Sequence, residues 1–249
     1  LAELLKNRFY QTYSIVSHRF IDREMGFAQG FDFMDEENCM GHSHISSRSI
    51  TEKAQAFLNE ESKSPFFLFL HYFDPHYRFR LHEQFDYYPE YQGQIPRDGD
   101  ISIEAIRSKV PGNNDDLKYI KALYDSEIRY TDHYLGILMK MLKEKNLYDD
   151  CLIIVTADHG EYFNEKSDPW IGHAKILYQE VLHVPLLIKL PGTGQAKVSN
   201  TPVSLIDLLP GILNEIEIQL PDSLVVEGQT WDFEVPEMAA SREFCAYTE

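Results

Sequence analysis

The chain has 249 residues, 43% of them hydrophobic and 25% charged, the composition of an ordinary globular protein with room for one large α/β domain or two small ones. Its formal net charge of −17, with no Lys/Arg cluster, argues against a nucleic-acid partner, and no apolar run approaches the ~18 residues of a membrane span. Three widely spaced cysteines, with no C-x-x-C, make no disulfide framework, and Cys151, opening an apolar run, reads as a small core residue.

In chain order, Leu1, Leu4 and Leu5 predict a helix, and TYSIVS (Thr12–Ser17) a short buried strand. Residues 21–45 are rich in glycine, acids and aromatics and read as loop. SSRSITEKAQAFLNEE carries Ile50, Ala54, Phe57 and Leu58 on one helical face. PFFLFLHYF (Pro65–Phe73) lacks polar alternation and predicts a strand buried on both faces. The stretch from Asp74 to Asn114 is long for a loop, and its tyrosines and prolines argue for an ordered lid. From Asp115 to about Asn146, Ile120, Tyr124, Ile128, Thr131, Leu135, Leu138 and Leu142 recur every three or four residues, the clearest helix of the chain. CLIIVT is the next strand, VPLLIKLPG (Val184–Gly192) another, and SLIDLLPGIL opens a last helix. Alternating strands and helices predict an α/β fold: a doubly wound, mostly parallel sheet flanked by helices.

In open parallel sheets ligands collect beyond the carboxyl ends of the strands. There PFFLFLHYF runs into Asp74-Pro75-His76, and CLIIVTA into Asp158-His159-Gly160-Glu161. Adjacent side chains on an extended strand point to opposite faces, so Asp158 and His159 can share a ligand only on a tight turn, for which Gly160 frees the backbone. Carboxylate and imidazole together make half of a divalent-metal site; the plainer reading is a turn-capping aspartate beside a solvated histidine. The acidic balance adds that an anionic substrate needs a local positive device, such as a metal. Among the other histidines, His71 reads as a hydrogen-bonded core residue, His42 and His44 as a solvated loop, His133 as a helix flank and His183 as packing.

Four stretches, in order, resemble the sulfatase family of the alkaline phosphatase superfamily: PFFLFLHYFDPHYRF, LKYIKALYDSEIRYTDHYLG, the pair DHGE and GHAKILYQEVLHVPLLI, and SLIDLLPGIL. The resemblance implies that Asp158 and His159 ligate a divalent metal, calcium first, with zinc or manganese as alternatives. It implies that His76 touches the transferred sulfate or phosphate group and that His173 sits on its far side; Lys175, two residues past His173, is a further candidate for reaching the anion, with a solvated lysine as the plainer reading. A small-molecule or glycan sulfate or phosphate ester is the substrate so implied.

The resemblance also has gaps. The family's C/S-x-P-x-R nucleophile segment and its N-terminal acidic pair have no match among these residues, and VSHRF stands where many members have G-K-W-H. The expectation is a single sulfatase-like domain, N-terminally incomplete and short of the C-terminal subdomain, hydrolysing sulfate esters in the intact protein and inactive as this stretch alone. The alternatives are a phosphate mono- or diester or phosphonate hydrolase, a phospho-headgroup transferase, and a non-catalytic module on the same scaffold.

Overall fold

The structure, a computed structural model, describes residues 1–39, 46–60, 65–98, 101–109, 112–166, 170–192, 196–221, 224–231 and 233. His42, His44 and Cys245 lie outside them. The chain forms two compact units, residues 1–145 with 163–172, and residues 146–162 with 173–249.

The first unit is built on a parallel sheet. Helix α1 (Ala2–Lys6) precedes strand β1 (Gln11–Ile15), which pairs with β2 (Phe33–Asp35) on one side and β3 (Phe66–Leu70) on the other. The register sets Tyr13 beside Phe33 and Leu68. Between β2 and β3 runs α2 (Ser47–Glu60), which buries Ile50, Ala54, Phe57 and Leu58, the face its spacing predicts. Strand β2 falls in the stretch read as loop; three residues carry no period to betray it. Strand β3 is half-buried rather than covered on both faces, with Phe69 40% exposed, and within this sheet it is an edge strand.

Residues 74–98 are ordered by their aromatics, as expected. Phe79, Tyr91 and Ile95 join Ile101, Ile103 and Ile106 from α3 (Ile103–Lys109), a helix the sequence did not announce, and Tyr119, Ile120 and Leu123 of α4 (Asn114–Glu144). The ring of Tyr91 stacks on Tyr119, with centroids 3.8 Å apart. Asn113 caps α4 by accepting from the backbone N–H groups of Asp115 and Asp116. Among the described residues, no helix is long and apolar enough to cross a membrane.

A buried carboxylate straps this segment to α4. Glu127, 2% exposed, accepts from Arg80 N–H at 2.7 Å and lies 2.8 Å from His82 Nε2. His82 N–H donates to Ser126 Oγ at 3.1 Å, and its ring stacks on Tyr130.

In the second unit, β4 (Ile153–Thr156) pairs with β7 (Leu186–Lys189), and the pairing is antiparallel, Ile153 opposite Lys189 and Thr156 opposite Leu186. An apolar run predicts a strand but not its direction, and among the described residues this pair forms a two-stranded antiparallel sheet of its own. Lys189 Nζ donates to the carbonyls of Tyr148, Asp149 (2.8 Å) and Cys151 (3.1 Å). The Cys151 side chain is half-buried, and burial raises its thiol pKa. Helix α6 (Leu208–Glu215) buries Leu213, and Asp207 before it accepts from the backbone N–H groups of Ser204 and Gln229. His183, read as packing, is exposed, as the residue that ends the one-turn helix α5 (Gln179–Leu182).

Desolvation raises the Glu127 carboxyl from its usual 4.5 to about 7, and the negative charge of Asp74 adds to the rise, while the His82 bond opposes it. A raised carboxyl favours the protonated folded state, so this contribution is complete below about pH 4.5 and lost as pH climbs through about 7. The unfolding free energy should fall by up to roughly 3 kcal/mol across that window, and Glu127→Gln should flatten the slope. Denaturant titrations of both proteins at pH 4.5 and 7.5 check this; parallel slopes would contradict it.

Candidate active site

The turn after β4 gathers four polar side chains inside the second unit. Thr156 Oγ1 closes the strand by donating to Pro185 O at 2.9 Å. Asp158 Oδ1 then accepts from His159 N–H at 3.0 Å, which folds the carboxylate back over the turn. His159 Nδ1 lies 2.9 Å from Gly160 O; a carbonyl can only accept, so Nδ1 carries the proton and Nε2 the lone pair. That Nε2 is 3.8 Å from Asp158 Oδ1, a separation at which one cation can reach both atoms at ordinary bond lengths of about 2.0–2.5 Å. The Asp158 side chain is 82% exposed and that of His159 32%.

His173 completes the group. Its ring stacks on His159, with centroids 3.9 Å apart and planes at 25°. Its Nδ1 lies 3.3 Å from both oxygens of Glu161, whose side chain is only 3% exposed. A carboxylate accepts, so this contact puts a proton on Nδ1 of His173. Lys175 is exposed two residues on.

The backbone explains the spacing. Gly160 N–H donates to Val181 O at 2.7 Å, and a Cβ on Gly160 would lie 2.2 Å from Glu180 O. Gly160 has no positive φ, so the glycine admits the backbone of α5 at close range; the expected backbone freedom is not what it supplies. Gly172 does need its φ of +123°, in the left-handed region, and a Cβ there would meet Arg107 Nη2 at 2.5 Å. Arg107 lies over the Trp170 ring at 3.7 Å, and its Nε donates to Ile171 O at 2.7 Å. Short strands β5 (Tyr162–Phe163) and β6 (Ile171–Gly172) pair with each other.

In the first unit, His76 follows β3 by six residues. Its backbone N–H donates to Phe73 O at 3.0 Å, and its ring packs between Phe73 (4.5 Å) and Tyr77 (4.4 Å). Its Nδ1 is 2.6 Å from Tyr77 O, the same tautomer-fixing contact seen at His159. His71, as expected, is hydrogen-bonded, with Nδ1 3.0 Å from Ser17 Oγ.

Sequence reasoning placed Asp158, His159 and His76 at strand-end turns and took His173 from the family resemblance, but missed Glu161 as the partner of His173, and Glu127 with His82. The signal for Glu161 was its place next to the glycine, where a carboxylate behind a buried strand needs a donor.

Gly160→Ala should cost roughly 1–3 kcal/mol of stability, since backbone rather than a flexible side chain must move. Chemical denaturation measures it, and a cost near zero would contradict the close approach.

Comparisons with known proteins bear on the family and the fold. The profile of the Sulfatase family matches residues 1–217. The ulvan-active sulfatase of Formosa agariphila is 29% identical over 122 residues, 48% of this chain and 24% of the relative, so the chain spans about a quarter of that protein. Among solved structures, a protein in complex with its substrate D-glucosamine-2-N,6-O-disulfate superposes with a TM-score of 0.62 at 18% identity, over 92% of this chain and 62% of that one. The phosphonate monoester hydrolase of Silicibacter pomeroyi gives a TM-score of 0.66 at 20% identity, over 92% and 59%. At those identities the structures speak for the alkaline-phosphatase/sulfatase-like fold alone, and the family match covers most of the chain: the chain belongs to the sulfatase family.

Proposed function

We propose that the intact protein hydrolyses sulfate esters, on a sugar or other small molecule, within one sulfatase-like α/β domain. The cluster of Asp158, His159 and Glu161 on the turn after β4 with His173 from beyond β6 carries this reading, since it sets a carboxylate and imidazole suited to a cation beside a second, carboxylate-oriented imidazole. Sulfatases generally use a divalent metal, and the oxygen of Asp158 and Nε2 of His159 suit one chemically. Calcium is the first choice, with zinc or manganese as alternatives; when bound, it would neutralise part of the charge on the ester's non-bridging oxygens.

The residues of this chain supply the rest. His76 and His173, each with Nδ1–H facing a carbonyl or a carboxylate, would carry a second proton on Nε2 that donates to the transferred group and can pass to the departing oxygen, leaving the ring neutral. Lys175 would add attraction for the anion. The nucleophile has no counterpart among residues 1–249, so this stretch alone should not turn over.

The test is an assay of the full-length protein on matched sulfate, phosphate and phosphonate esters of one aryl alcohol. The sulfate ester should be preferred, and His76→Ala and His173→Ala should each lower kcat by about 10²–10⁴-fold. Preference for a phosphate or phosphonate ester would replace the substrate assignment. Unchanged rates in both variants would remove the two histidines from the chemistry.

A further inference from the structure

Asp74 is the acid of the Asp-Pro-His turn, and it sits nowhere near solvent: it is 4% exposed. Its carboxylate faces the N-terminus of α2. Oδ1 accepts from Ser46 N–H at 2.8 Å, and Oδ2 accepts from Ser47 N–H at 2.6 Å, from Ser46 Oγ at 2.9 Å and from the Ser47 hydroxyl. Thus the first backbone donors of α2 are satisfied by a residue 27 and 28 positions away in sequence, and the helix dipole meets a negative charge. The link is reciprocal, because Ser46 Oγ also accepts from Phe73 N–H at 2.9 Å. Ser47 Oγ is in turn 3.1 Å from Thr131 Oγ1 on α4.

Two consecutive residues of the turn, Phe73 and Asp74, are therefore pinned to α2. His76 hangs from the same turn through its N–H to Phe73 O, and its ring lies parallel to the pinned Phe73 ring within 20°. The Asp74 carboxylate, 4% exposed, is thus the buried anchor to which the Phe73 end of the turn is tied, and the His76 imidazole stands on that end.

We propose that Asp74 is a positioning residue: by tying the Phe73–His76 turn to the N-terminus of α2, it sets the place and the Nδ1–H tautomer of the His76 imidazole. The inference deepens the function proposed above and rests on its assignment of His76 to the transferred group. A cap that served α2 alone would stabilise the helix and leave the His76 ring untouched, which separates the two roles.

The experiment uses the full-length protein and two variants, Asp74→Asn and Ser46→Ala. Asn keeps one acceptor oxygen but turns an amide toward hydroxyl donors. Ala removes the hydroxyl link to Phe73 and leaves the two backbone donors to Asp74. Long-range ¹⁵N–¹H spectra of the neutral His76 ring read the tautomer directly, and steady-state kinetics read kcat and KM. Both variants should shift the ring from a single Nδ1–H tautomer toward a mixture. They should also lower kcat by about 10–10²-fold with KM nearly unchanged, as expected when a reacting group is slightly misplaced. A folded variant whose His76 spectrum and kcat match the parent would overturn the inference. Should Asp74→Asn fail to fold, Ser46→Ala decides. Turnover in His76→Ala tests the assignment of His76 by itself, whereas the tautomer spectrum tests Asp74 whatever that assignment's fate.

Discussion

A chain that leaves a strand in a polar turn gives up its ladder of hydrogen bonds, and each lost partner must be replaced where water cannot reach. In this protein buried carboxylates do the replacing. Asp74 collects the donors at the start of α2, Glu127 those of residues 80–82, and Glu161 the imidazole of His173. Each is nearly inaccessible, and each faces named donors, which is the condition under which a carboxylate is tolerated in a low-dielectric interior. On the function proposed above, Asp74 and Glu161 are the carboxylates that bear on the catalytic candidates, the first through the Phe73–His76 turn and the second through the Nδ1 of His173.

The candidate site follows from the same economy of packing. On the turn after β4, Gly160 lets the backbone of α5 approach closely enough for a 2.7 Å hydrogen bond, and the side chains on either side of it are driven to the same place. Asp158 and His159 meet over the turn, and Glu161 reaches His173 beyond the ribbon formed by β5 and β6. A strongly acidic chain can hold an anionic ester only if positive charge is concentrated locally, and on the function proposed above a cation held by Asp158 and His159 would supply it.

Much of this was legible in the sequence. The three- and four-residue spacing of Ile120, Tyr124 and Leu138 marked α4 to within a residue or two, and DHG at the end of CLIIVT marked the turn of interest. What was hidden is nonlocal. Strands of two or three residues, such as β2, β5 and β6, have no period to detect, and the antiparallel pairing of β7 with β4 is not written in an apolar run. The role of Gly160 depends on α5 lying against it, and the partnership of Glu161 with His173 spans 12 positions that no spacing rule connects.

The central claim is that the Asp158–His159 turn holds a divalent cation. Metal analysis of the purified full-length protein beside Asp158→Ala and His159→Ala tests it most directly. The account predicts close to one equivalent in the parent and a large loss in both variants, with far-ultraviolet circular dichroism unchanged because both side chains leave the core untouched. An unchanged metal content in folded variants would contradict it.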